Sequence, residues 1–417
     1  MGIDIGNALS YPILLSPIWL PFMLFFLAFE RWQWFVRQKF VINQGRTTLR
    51  IKLPQEVFRS PEAMENVLTQ SFYANKPYNL MMAYIDGRAP LVNSFEMVAS
   101  NGEIKFYINV PTKKFKNIVE AQLYAQYPGI EIVEEPVDYT AEIKWNPKKY
   151  DLMSFHIVKK EDEVLPIKTY IDLGLDKMPK EEEKTDPMAP LIEHMSQVKA
   201  HERIWVQILM KPEMKTSFST GDLSKYVELV DRAKEKIDEI MKRDKYEPTA
   251  EEEGVSNSRL TPGERSLVET IERNSGKFAF HTAIRAMYIV DEESGKFRGD
   301  MITGLLKAFT QVNVMNRNEL KVPWRTDFDY QFLSDPTGNR RIKYKKMELE
   351  DYKNRYYYPR DYVNHSDAMK VMTVEELATI YHLPGQVIVS PGLARVESQK
   401  RSAPGNLPVG TPTHTEA

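Results

Sequence analysis

Cysteine is absent from this 417-residue chain, which removes disulfides, thiolate catalysis and Cys-ligated zinc or iron–sulfur sites at once. The common catalytic signatures are missing too. No G-x-x-x-x-G-K-[ST] loop is there to cradle nucleotide phosphates, and no G-x-G-x-x-G, G-x-S-x-G or H-E-x-x-H occurs. The seven histidines are scattered. His194 and His201 are two ligands without a third, and two do not make a metal site. The acid runs Glu181 to Glu183 and Glu251 to Glu253 fall in polar linkers, where solvated charge is the default. No cofactor is expected, and the chain reads as a binding protein rather than an enzyme. An excess of positive charge is also lacking. With 56 Lys and Arg against 58 Asp and Glu, the net charge is −2, so any nucleic-acid contact needs a local patch.

What is present begins with an apolar run. Ile13 to Phe29 (ILLSPIWLPFMLFFLAF) is 17 residues without a charge, roughly 26 Å as a helix against the ~30 Å of a bilayer core. The pattern predicts one transmembrane helix and its interfacial flank over 11–35, after a short extracytoplasmic N-terminus at 1–10. Ile13, Phe22, Phe25 and Phe29 would sit in lipid, with Trp19, Trp32 and Trp34 at the interfaces. No Lys or Arg precedes the run, whereas Arg31, Arg37 and Lys39 follow it. That asymmetry predicts a single-pass protein of the bacterial inner membrane, N-terminus outside and bulk cytoplasmic, with those cations near anionic head groups. A cleavable signal peptide lacks its basic n-region and its cleavage site. Pro17 and Pro21 leave a re-entrant segment open.

Beyond the anchor the periodicities predict an α+β fold. Over 45–140, strand TLRIKL, a helix from Ser60-Pro61, a hairpin around Asn101-Gly102, a helix through Phe115 and Leu123, and strand 130–133 give the order β-α-β-β-α-β. That is a ferredoxin-like, split βαβ module. A second such module is predicted over 145–335. It uses Ile167 to Leu173, Arg203 to Met210 and Lys277 to Val290 as strands, and Met188 to Val198 and Gly299 to Val312 as helices. Between its strands lies a helical insertion at about 212–276, with an amphipathic helix from Leu223 to Met241. A capping box at Thr261 to Glu264 opens a second helix there. The pair is expected to protrude as a hairpin.

The segment 336–385 is different in kind. Arg340, Arg341, Lys343, Lys345 and Lys346 surround Tyr344, and Tyr356 to Tyr358 follow. Cations that pair with phosphates beside rings that stack on bases make this a candidate nucleic-acid or partner contact. The reading with the greater weight for this run is a charged surface loop. The second hairpin strand, GEIKFYINV, does not match the RRM signature. Thr373 to Glu376 is a further capping box, and 386–417 is Pro/Gly-rich and expected to be disordered.

Three stretches carry a resemblance. SFEMVASNGEIKFYINVP with VEAQLYAQYPGIEI, HERIWVQILMKP, and TVEELATIYHLPG with the later PGNLP together resemble the N-terminal, non-motor region of conjugative-transfer and type IV secretion ATPases. The similarity spans about 45–408. Glu375, Glu376, His382 and Pro384 are the motif positions that transfer, with no assigned role. No Walker-containing motor follows them, so the resemblance implies a motor-less scaffold beside a separate P-loop ATPase. The expected partners are thus a membrane, such an ATPase and, as the alternative, nucleic acid. Self-association is left open.

Overall fold

Strands whose alternate residues are apolar assemble here into one ten-stranded sheet. The computed structural model describes residues 15–54, 59–177, 186–217, 220, 226–241, 260–327, 335–357, 369–385, 392–393 and 395–396. The first half contains β1 (Arg46–Pro54), α2 (Glu62–Ser71), the short α3 (Leu80–Tyr84), β2 (Asn93–Ser100), β3 (Glu103–Pro111), α4 (Thr112–Gln126) and β4 (Glu131–Glu135). Their spatial order is β4-β1-β3-β2, all antiparallel, which is the split βαβ arrangement. Asn101 and Gly102 both take positive φ, 52° and 73°, as the tight turn between β2 and β3 demands.

The second half repeats the plan with β5 (Tyr150–Lys159), α5 (Ala189–Ser196), β6 (Glu202–Pro212), β7 (Ala279–Asp291), α8 (Gly299–Ala308) and β8 (Leu320–Arg325). Its order, β6-β7-β5-β8, mirrors the first. The two halves join edge to edge, β2 against β6, with pairs running from Asn93↔Met210 to Ser100↔Arg203. Each half therefore closes the exposed edge of the other. The expected first strand at Ile167 to Leu173 is instead a series of turns, and β5 takes that place. Asp151, Ser154, His156 and the terminal Lys159 interrupt the apolar pattern of β5 and hide its alternation.

One face of the sheet is covered by α2, α4, α5, α8 and α10 (Val374–Ile380), which enclose the main core. The insertion helices α6 (Leu229–Met241) and α7 (Pro262–Ser275) do not protrude. They fold back to share a small core with Val164, Ala279 and Val371. Across the other face lies α9 (Asn339–Lys353), burying Leu349 and Tyr352 on Val98, Trp205 and Ile289. Short β9 (Lys370–Thr373) pairs with β7, and β10 (Arg395–Val396) with β1.

The N-terminal expectation is corrected. The chain forms helix α1 (Ser16–Gln44), but among the described residues no helix is long and apolar enough to cross a membrane. Only Ser16 to Phe29 is free of charge within it, about 21 Å of helix against the ~30 Å required. The helix then continues through Glu30, Arg31, Arg37 and Lys39 and docks on the sheet domain. The single-pass inner-membrane placement and its orientation rested on a span and fall with it. Ile13, both acid runs, Tyr358 and the C-terminal segment from 397 lie outside the described residues.

Candidate functional site: an apolar arm and the basic cavity at its root

Helix α1 has two parts. Its C-terminal part is fixed to the body. Val36 is buried, Phe40 and Val41 pack on the main core, and the Trp32 indole N–H donates to the Tyr84 carbonyl at 2.9 Å. Phe29 meets the Tyr84 ring at 5.4 Å. Its N-terminal part projects with apolar side chains on every side. Phe22 is 74% exposed and Phe25 72%, and Ile18, Trp19, Leu20, Met23, Leu24, Phe26 and Leu27 are exposed around them. Beside it Tyr78, Leu80, Met81 and Ile85 extend the patch from α3. A helix that is apolar all round is one whose whole circumference is meant to be covered, and a patch of this kind marks an interaction surface.

Where α1 meets the body it roofs a cavity of about 600 Å³. Arg37 from α1, Arg46 from β1, Arg88, Lys211 at the end of β6, His281 on β7 and Arg355 after α9 all line it, with Glu30 as the one carboxylate among the described lining residues. Trp34 and Tyr356 supply rings, and Val41, Val92 and Met214 supply apolar wall. The Arg46 guanidinium donates to Asn109 Oδ1 at 2.6 Å and to the Val92 carbonyl at 3.1 Å, both neutral. Enclosure by protein at the cavity floor, together with the Arg355 charge, holds its pKa down to about 10, although part of the side chain is exposed. His281 is lowered to about 4, first by burial and then by the Lys211 charge. Arg355 itself is balanced, pairing with Glu96 at 3.0 Å and Asp138 at 2.5 Å.

The basic run at 340–346 lies on α9, and a helix spreads successive residues around its circumference. Tyr344 turns inward, with Arg340 stacked over its ring. Lys345 pairs with Asp151 at 2.6 Å, Arg341 approaches Asp335 at 3.6 Å, and Lys346 approaches Glu350 at 3.9 Å. Lys343 points to solvent. The cations therefore do not share one face, and Tyr356 and Tyr357 belong to the cavity rather than to this run.

A family profile matches residues 44–395. The chain belongs to DUF8128, a domain of unknown function. No curated protein matches it. The matched span of the DUF8128 chain opens at the root of α1, so the apolar arm precedes it, and closes at β10.

Inside the DUF8128 span the four motif positions are buried. Glu376 closes the capping box with Thr373, accepts the Ile167 N–H at 3.0 Å and pairs with Lys159 at 2.8 Å. Glu375 pairs with Arg273 and Lys277, each at 3.0 Å. The His382 Nδ1–H donates to the Ala378 carbonyl at 2.9 Å, and its Nε2–H to Asp186 at 3.1 Å. Pro384 follows in the same buried segment. These contacts tie residues 159–170 and Asp186 to α10 and the turn after it, and none of the four positions lines the cavity under α1. Among the described residues no three His, Asp or Glu converge as metal ligands.

Two groups escaped sequence reasoning. One is the cavity set, which comes from six separate chain segments. The other is a buried polar rung in which Glu96, Gln207, Arg285 and His156 stand in register across four strands. Over it, the Gln207 amide donates to the Tyr352 carbonyl at 3.1 Å, His156 meets Glu348 at 3.1 Å, and the Tyr139 hydroxyl donates to Glu96 at 2.7 Å. A signal existed for the rung. Each member is a large polar residue in mid-strand, in the phase opposite to the main core.

Proposed function

We propose that this protein is a docking subunit that captures a partner protein around the projecting arm of α1. The observation that carries the reading is the all-round apolar exposure of residues 18–27. The sequence resemblance supplies the partner to test, a P-loop ATPase of the conjugation or secretion class. The root of α1 supports the reading in one further respect. Val36, Phe40 and Val41 anchor it to the body, so the apolar arm is presented from a packed base. Affinity capture of the full chain from its native cell, with mass spectrometry, tests this against a Phe22→Ser, Phe25→Ser, Phe26→Ser variant. A P-loop ATPase retained by the parent and lost by the variant is the expected result. Equal recovery by both chains, or capture of nucleic acid alone, overturns it.

A further inference from the structure

We propose that the cavity under the root of α1 binds a phosphorylated ligand of nucleotide size, its phosphates held by Arg37, Arg46, Arg88 and Lys211 and its flat moiety set against Trp34 and Tyr356. This assignment is independent of the docking reading, because it uses a different surface of α1.

Three observations converge on it. The first is an excess of charge of one sign. Arg355 is consumed by Glu96 and Asp138, but Arg46 is held only by neutral acceptors and Arg88 has no side-chain partner among the described residues. Lys211 lies over the Tyr357 ring at 5.0 Å. Among the described residues of the lining, Glu30 is the one carboxylate that opposes them. Like charges gathered in a partly enclosed space repel one another more strongly than they would in bulk water, and an anion relieves that repulsion.

The second is the form of the cations. Guanidinium groups present planar forks that match phosphate oxygens in pairs. Three arginines approaching from α1, β1 and the 88–92 loop surround a volume instead of lining a surface, which suits an anion with several charged oxygens. A single carboxylate would satisfy only one of them.

The third is size and lining. A cavity of about 600 Å³ lies within the usual small-molecule range of roughly 300–1,000 Å³. Its rings and apolar wall beside the cations are what a base or sugar needs once its phosphates are held. Trp34 is 59% exposed, so a ring can stack there without displacing a core contact.

Isothermal titration of the purified full chain with ATP, inorganic pyrophosphate and glycerol 3-phosphate tests the assignment. ATP and pyrophosphate are expected to bind, ATP the more tightly, with affinity falling as salt rises. Arg88→Gln and Lys211→Gln should each weaken pyrophosphate by about tenfold, since a charge-assisted hydrogen bond is lost. Arg88→Lys should restore most of the loss, and thermal melting of all three variants should match the parent. A second readout is the His281 imidazole, whose NMR titration midpoint should rise from about 4 when pyrophosphate is bound. Equal affinity for ATP and pyrophosphate supports the phosphate site and overturns the role given to the rings. Preference for glycerol 3-phosphate over both overturns the nucleotide size class and points to a lipid head group. No binding at millimolar concentration, or binding untouched by Arg88→Gln and Lys211→Gln, overturns the site itself.

Discussion

The His382–Asp186 pair shows how a single buried residue makes this fold sensitive to pH. Both imidazole nitrogens face atoms that can only accept, the Ala378 carbonyl and the Asp186 carboxylate. The ring is therefore held as the doubly protonated cation. Burial by itself opposes that charge, but Asp186 outweighs it and raises His382 above its ordinary value. In the reverse direction Asp186 is half-buried, which opposes its charge, yet it is lowered by the His382 charge. A histidine raised in the folded state contributes its full stabilisation below the unfolded value of about 6.5, and loses it as pH climbs through the folded value. A lowered aspartate contributes above about 3.9 and loses its share as the solution is acidified further. The pair therefore stabilises most between about pH 4 and 6.5. Urea midpoints followed from pH 5 to 9 should show the parent losing on the order of 1–3 kcal/mol relative to His382→Gln. Parallel pH profiles for the two proteins would count against the charged pair.

At the scale of elements, the attachment of α1 depends on one close approach. Gly87 has φ +66°, and a Cβ placed there would lie 2.4 Å from the Val36 carbonyl. A side chain at 87 is thus opposed by the left-handed backbone and by the helix it faces. Gly87→Ala should cost roughly 1–3 kcal/mol and lift the root of α1. The visible result would be faster amide exchange over 36–44, with exchange in β6 and β7 unchanged. Protection over 36–44 equal to the parent's would show that α1 is held elsewhere. Helix starts are the other feature governed locally. Thr261 and Thr373 each accept an N–H three residues on, while Glu264 and Glu376 reach back. Both boxes are readable from four consecutive residues because the hydrogen bonds never leave that turn.

On the scale of the molecule, Glu96 joins parts that are distant in sequence. It stands on β2 at the seam with β6, accepts from Gln207 across that seam at 3.0 Å, and pairs with Arg355 from the end of α9. Burial disfavours its charge, yet Arg355 and the hydroxyls of Ser94 and Tyr139 hold it below the usual carboxylate range. Removing one member of such a pair strands the other in the interior, at a cost of about 3–5 kcal/mol. Glu96→Ala is expected to lose that much in chemical denaturation, and Glu96→Gln combined with Arg355→Met to recover a good part of it. A loss below about 1 kcal/mol would mean that Arg355 finds full compensation from Asp138 alone. The same variant should loosen α9, since the chain turn carrying Arg355 closes that helix onto the sheet.

The sequence by itself determined most of the local order. The hairpin at Asn101-Gly102, both capping boxes, strands β3, β6 and β7 and the α+β plan follow from periods and turns that involve neighbours in the chain. It misjudged the N-terminal helix because counting apolar residues does not reveal where a helix begins or what it packs on. In three dimensions α1 starts at Ser16 and carries its charged turns onto the sheet domain. It also read the basic run at 340–346 as one patch, whereas a helix distributes those side chains around its axis and gives several of them partners. The edge-to-edge fusion of the modules, the polar rung and the cationic cavity were decided by tertiary structure alone. Each depends on charges and strand edges brought together from segments up to about 300 residues apart, and no sequence window spans the Coulomb and packing terms that hold them.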